Sequence, residues 1–568
     1  MDRRAFLLGG VVGAAFALGA ADASARRISL EPATLYIYGG PIYTGDPTQP
    51  IVEAVAVRDG RVHMAGSREV LEGLVVDGDT QRIDLKGAAM FPGFTDAHAH
   101  LLGIGQRELT LNLEGSASLE AMLASLSAWA AGHPDDPVLV GRGWIETHWP
   151  EKRFPTRQDL DRAVPGRPVI LSRADGHAVV VNSAALTAAG VTRTTAAPSG
   201  GEILKDAAGE PTGMLVDAAE GLIGRLIPAE SEAAINRALD AAFKVYAAYG
   251  WTGLHNMSVG HAERGALEGR VAGGRVPLRV YNCVTPQAGP MLLAEGVKAS
   301  ADGRLITRAI KHYADGALGS RGAALFAPYA DRPDTAGLMQ STAAEMVPLY
   351  EDALRRGIQI TTHAIGDRGN AEVLDWYEAA LKAVPASQRK VADPRFRIEH
   401  AQVVRLSDIP RFKTLGVIPS MQASHAIGDL YFAPARLGDA RLEGAYAWRR
   451  LVEAGAIIAG GTDAPVERGD PMIEFYAAVA RRSLDGFQGP DWRADQAVDR
   501  ATALKMFTAW PAYASFREHE LGLIKPGYRA DFSVFSVDLM TAPVADIPKA
   551  HALLTMVEGQ AVHRAEGW

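Results

Sequence analysis

A (β/α)8 barrel with a small split β-sandwich formed by both chain ends is the fold class this sequence predicts, and three observations predict it. Apolar strand-like runs alternate with helical stretches through the middle of the chain, the signature of a parallel sheet wrapped by helices. Eight such runs follow one another, the number that closes a barrel. Short alternating strands punctuated by turns appear at both ends, so one β-domain shared between them is the economical reading.

Residues 1–25 read as a targeting segment: Arg3 and Arg4 precede the apolar run from Phe6 to Ala21, and Ala23-Ser24-Ala25 offers a small-residue cleavage site. The paired arginines followed by Ala5, Phe6 and Leu7 resemble a twin-arginine signal, an address for export. A membrane anchor is the competing reading, but the run is short for a spanning helix and several glycines break it. The expectation is a periplasmic or secreted protein with no membrane contact after signal cleavage.

From Thr34 to about Ala89 the strands are Leu35–Tyr38, Ala54–Arg58 and Arg61–Ala65, with Asp59-Gly60 as a hairpin turn. Near the other end Asp531–Val537 and Leu553–Arg564, the latter turning at Gly559-Gln560, repeat the style. Residues 26–90 and 516–568 are thus assigned to the split β-domain and 91–515 to the barrel. The barrel strands are the run ending at His100, then Trp251–Met257, Leu278–Val284, Ile306–Tyr313, Ile358–His363, Phe396–His400, Val417–Gln422 and Ala456–Asp463. Ser231–Tyr249 and Thr342–Arg356 have the apolar spacing of amphipathic helices. The span of about 101–250 is too long for one connection and has strand-like runs of its own, Pro137–Gly143 and Pro168–Ser172. It reads as a subdomain inserted between barrel strands one and two, placed to shape a pocket over the barrel mouth.

Composition narrows the chemistry. With 48% hydrophobic and 22% charged residues the 568-residue chain is ordinary globular protein. A net charge of -8, from 58 basic and 66 acidic residues, and the lack of a basic cluster with interleaved aromatics exclude a nucleic-acid surface. The single cysteine, Cys283, excludes an intramolecular disulfide and a multi-cysteine zinc site. Any metal ligands are His, Asp, Glu or a modified Lys.

Those residue types recur where a barrel active site needs them, at the carboxyl ends of strands. Phe91-Pro-Gly-Phe-Thr-Asp-Ala-His-Ala-His100 ends strand one with His98 and His100, whose spacing of two places both imidazoles on one side of a strand. His363 closes strand five, His400 strand six and Asp463 strand eight. Lys311 lies on strand four, where a free ammonium inside a barrel is expensive. Pairing with Asp315, or a register in which His312 faces inward instead, are the alternatives for it.

The string from Phe91 to His100, with His363, His400 and Asp463, resembles the amidohydrolase superfamily of metal-dependent hydrolases. Asp315-Gly-Ala-Leu-Gly-Ser320, His363-Ala-Ile-Gly-Asp367 and Gly461-Thr-Asp-Ala-Pro465 are similar to the branch that includes N-substituted formamide deformylases. The resemblance covers nearly the whole chain after the signal. It implies a distorted barrel with divalent metal, here two Zn per chain, although His and carboxylate ligands also suit iron, manganese and nickel. It further implies that Lys311 is carboxylated on its ε-nitrogen and bridges the metals. His98, His100, Lys311 and Asp463 then hold one metal, and Lys311, His363 and His400 the other. The metals would lower the pKa of a bridging water toward ~7, giving a hydroxide nucleophile. Asp463 would take the proton and pass it to the leaving nitrogen.

Around that centre, His177 and Asn182 in the insertion and Arg321 after strand four are candidates for substrate contact. His177 is also a catalytic candidate as a donor to the carbonyl oxygen, the alternative being that it ties the inserted strands together. Glu399, beside His400, reads as a supporting residue behind the ligands. The expected function is hydrolysis of a carbon–nitrogen bond, an amide of N-formyl or N-acyl type, in a small molecule. Ester, lactone or cyclic-amide hydrolysis is the alternative, and a non-catalytic barrel scaffold the alternative from another class. The expected partner is the small-molecule substrate; the sequence leaves the oligomeric state open, a homodimer being one option.

Overall fold

Eight parallel strands follow one another around the middle of the computed structural model, which describes residues 32–568 except 175, 199, 228–230 and 490–491. The targeting segment expected at 1–25 lies outside the described residues. The barrel strands are Phe94–Ala99, Trp251–Val259, Arg279–Val284, Leu305–Tyr313, Gln359–Ala364, Arg397–His400, Ile418–Gln422 and Ala459–Gly461, each parallel to the next. The alternation of apolar runs located all eight.

Two strand ends differ from expectation. Strand one stops at Ala99, and His100 is the N-cap of the helix Leu101–Leu109. Strand eight is three residues long, and Asp463 lies beyond it with φ +61°. The cause is how the barrel closes. Strands one and eight meet without a regular ladder, and the chain leaves strand eight to bond strand one directly: Asp463 N–H donates to His98 O at 2.6 Å and His100 N–H to Ala464 O at 2.7 Å. The buried Asp96 carboxylate accepts from Thr462 N at 2.9 Å and Thr462 Oγ1 at 2.7 Å. Gly461 permits the approach, because a Cβ there would lie 2.4 Å from His98 N.

The helices form where pattern and caps agree. Glu232–Tyr249 starts at Ser231, whose side chain accepts from Ala234 N, and buries Ile235, Leu239, Ala242, Phe243 and Tyr246 along one stripe. Ala343–Arg356 carries a capping box between Thr342 and Glu345. Among the described residues no helix is long and apolar enough to cross a membrane.

One eight-stranded sheet joins the chain ends. Leu35–Tyr43, Ile51–Arg58, Arg61–Gly66, Gln81–Asp84 and Ala89–Pro92 come from one end, and Phe532–Phe535, Ala552–Val557 and Gln560–Arg564 from the other. The two halves meet where Ala89–Pro92 pairs antiparallel with Phe532–Phe535. Phe91, Phe94, Trp251 and Phe535 pack edge-to-face or tilted across the junction with the barrel. The buried Arg279 of barrel strand three also pairs there with the buried Asp531.

Between barrel strands one and two a second sheet of six strands forms, from Leu111–Asn112, Leu139–Trp144, Val169–Arg173, Ala178–Val181, Gly201–Lys205 and Pro211–Asp217. It has its own core around Met122, Leu126, Trp144, Trp149 and Leu171. Its loops bring Ile145, Arg173 and His177 to the cavity at the barrel mouth.

Candidate metal centre

A cavity of about 540 Å³ opens at the carboxyl ends of the barrel strands, with His98, His100, Lys311, His363, His400 and Asp463 all in its wall. Asp463 is the hub. Its Oδ1 lies 3.3 Å from His98 Nε2 and 3.2 Å from His100 Nε2, and its Oδ2 lies 4.0 Å from His400 Nδ1. His98, His400 and Asp463 each offer a ligand atom within 4.8 Å of the others, and all three are buried. The His400 and His363 rings adjoin, with centroids 4.5 Å apart.

Hydrogen bonds behind the imidazoles fix which nitrogen faces the cavity. His98 Nδ1 lies 2.5 Å from Glu399 Oε2, so that nitrogen carries the proton and Nε2 is left bare. Glu399 is held by Arg397, which is itself wholly buried and also bonds His255, Ala97 O and Ser420. His400 Nδ1 donates to Gln422 Oε1 at 2.9 Å, and the Gln422 amide is oriented by its own bond to Ser420 O. His363 Nε2 donates to Gly316 O at 3.3 Å.

Register decides Lys311. Its side chain lines the cavity at 1% exposure, and the neighbouring His312 points out of the barrel to stack edge-on against Tyr350. Asp315 does not pair with Lys311. Its carboxylate accepts from Ala324, Ile365 and Gly366 N–H at 2.8–2.9 Å, and burial pushes its pKa up to about 7. Among the described residues no carboxylate pairs with Lys311, whose Nζ lies 5.0 Å from the Tyr313 ring centre.

The electrostatics favour a cation at the hub. Burial opposes charge on Asp463, but His98, His100 and His400 hold its carboxyl well below the usual range. Burial and Lys311 act against protonation of His98, yet Asp463 and Glu399 outweigh them and raise its pKa. Burial holds His363 down at about 3, and keeps His400 well below the ordinary value with help from His363. The bare His98 Nε2 is buried with no hydrogen-bond partner. An ionised carboxylate, the imidazoles of His100, His363 and His400, whose pKa values burial lowers, and the orphaned His98 Nε2 form a donor set that fits a divalent metal ion.

Two expected substrate contacts are not part of the site. Asn182 is fully buried in the insertion, where its side chain caps the helix Ser183–Ala189 and bonds Val169 N, Val164 O and Arg167 O. With every polar atom engaged it is a structural clamp. Arg321 forks onto Asp331 at 2.8 and 3.2 Å and does not line the cavity. His177 does line the cavity, its Nδ1 2.8 Å from Asp217 Oδ1. Asp175, two residues before it, lies outside the described residues.

The sequence reading missed the part of the wall that follows strands six, seven and eight. His425, Gln402, Asp429 and Glu467 all line the cavity. Burial, with Glu474 and Asp429 next, holds the Glu467 carboxyl well above its usual range. The signal was present: strand seven was the one late strand assigned no chemistry, although Gln422 ends it and His425 follows in the next helix.

A model of the amidohydrolase family matches residues 81–563. The chain is 36% identical over 546 residues to the protein YtcJ of Bacillus subtilis (strain 168), covering 93% of this chain and 98% of that one. It is 26% identical over 547 residues to the N-substituted formamide deformylase of Arthrobacter pascens, covering 92% and 97%. The crystal structure of a metal-dependent hydrolase from Pyrococcus horikoshii OT3 matches with a TM-score of 0.74 at 26% identity, over 90% of this chain and 99% of that one. Family match, barrel and strand-end histidines agree, and the chain belongs to the amidohydrolase family.

Proposed function

We propose that this amidohydrolase cleaves a carbon–nitrogen bond, an amide of N-formyl or N-acyl type, in a small molecule. The observation that carries the proposal is the convergence of His98, His100, His400 and Asp463 in one buried cavity of small-molecule size. The N-formyl class is favoured by the likeness to the Arthrobacter deformylase over nearly the whole of both chains.

His98 Nε2, His100, His400 and Asp463 are the residues that would hold divalent metal, with His363 alongside. Zinc, two ions per chain, is the assignment proposed. Lys311 is a buried cation without a carboxylate partner among the described residues; carboxylated on Nζ, it becomes an anion beside the imidazoles and completes a two-metal ligand set. Bound metal supplies an activated water at neutral pH and polarises a carbonyl. Asp463 accepts the proton of the attacking water and returns it to the leaving nitrogen, one carboxylate serving as base and then acid. His177, oriented by Asp217, reaches in from the insertion toward the acyl oxygen, and the insertion loops bound the space for the leaving amine. Export through the twin-arginine signal belongs to the same reading.

A hydrolysis screen over N-formyl, N-acyl, lactam, lactone and ester substrates tests it. Amide turnover is expected from the wild type, with Asp463→Ala at least about 1,000-fold slower; turnover confined to esters or lactones, or undiminished in Asp463→Ala, would contradict it.

A further inference from the structure

His425 stands in the helix Ala423–Asp429, directly after barrel strand seven, at 8% exposure and with its ring against the cavity. Its Nε2 is buried and makes no hydrogen bond. That nitrogen lies 3.7 Å from Asp463 Oδ2 and 3.8 Å from Glu467 Oε1, beyond hydrogen-bond reach of either.

The group behind the ring separates His425 from the other histidines of the wall. Glu399 and Gln422 present oxygens to the Nδ1 atoms of His98 and His400, which places those protons on Nδ1 and leaves Nε2 bare for metal. Gln402 presents its amide Nε2 to His425 Nδ1 at 3.0 Å. A ring nitrogen that accepts carries no proton, so the His425 ring is neutral and its hydrogen is on Nε2. A protonated Nε2 cannot ligate a metal, but it can donate.

We infer that His425 is a substrate-binding residue, its Nε2–H donating to an acyl oxygen of the substrate on the strand-seven side of Asp463. The inference rests on the hydrolase reading above. It also gives Gln402, in the phrase Arg-Ile-Glu-His-Ala-Gln after strand six, the work of setting the tautomer. Donors already in place where negative charge develops in acyl transfer contribute strongly to rate, so this nitrogen is placed to act in the reaction and not only in binding.

The test uses the full-length, metal-loaded protein as wild type, His425→Ala and His425→Gln. Three readouts are taken: zinc per chain, steady-state hydrolysis of p-nitroacetanilide and p-nitrophenyl acetate, and 15N NMR of histidine-labelled protein. Zinc content is expected to stay unchanged in both variants. The kcat/KM of His425→Ala falls about 100-fold or more on whichever substrate is turned over, and His425→Gln, whose side-chain amide restores a donor, regains at least tenfold. The NMR spectrum places the His425 proton on Nε2. Loss of zinc in His425→Ala, an unchanged kcat/KM, or a proton on Nδ1 would overturn the inference. Ester turnover without amide turnover would count against the carbon–nitrogen reading while still judging His425. If neither substrate is turned over, tautomer and zinc content decide.

Discussion

Glu399 touches no substrate space, yet it governs the ring that does. Its carboxylate accepts from His98 Nδ1 at an N···O distance of 2.5 Å and is itself held by the buried Arg397. Burial alone would raise its pKa, but Arg397 and His98 hold it far below the usual carboxylate range. Glu399→Gln is expected to weaken zinc binding 10–100-fold in competition with a chelator. By leaving the Arg397 charge unpaired it should also cost about 3–5 kcal/mol, read as a lower midpoint of thermal unfolding. Glu474 gives the opposite sign. Burial lifts its pKa from 4.5 to about 8, so the folded state holds a proton that the unfolded chain releases. Its contribution is present in full below pH 4.5, declines as pH rises toward 8, and is gone above it. Unfolding midpoints of wild type and Glu474→Gln across pH 5 to 9 should diverge progressively, the variant gaining as pH rises; parallel curves would contradict this assignment.

Among the elements, the strands are where sequence reading succeeded, and their ends are where it fell short. Apolar runs between helical stretches located all eight barrel strands because a strand covered on both faces must be apolar along its length. Lys311 and His312 were ambiguous for a related reason, since a single residue of register exchanges the two faces. Only the packing of His312 on Tyr350 resolves it. The short eighth strand was not legible, because the bonds that end it reach back more than 350 residues to Asp96 and His98. Asn182 was misread because an Asn at the end of an apolar strand looks the same whether it caps the next helix or faces a ligand. His425 was missed because its character comes from the orientation of one amide, Gln402, across 23 residues.

At the scale of the whole molecule, the sheet built from both chain ends packs against the starts of barrel strands one to three. Arg279 and Asp531, each 6% exposed, pair across that junction, with Glu558 3.4 Å from the same guanidinium. Asp531→Asn should lower the thermal midpoint by an amount corresponding to about 3 kcal/mol while leaving zinc affinity within twofold. Loss of metal together with stability would show that the junction reaches the site.

The central claim is that a metal centre built from five barrel strands performs the hydrolysis. Its most direct test is titration of the chelated, metal-free protein with zinc while amide turnover is followed. The account predicts no turnover without metal and activity that rises with zinc and saturates at two ions per chain. Full turnover by the metal-free protein would contradict it.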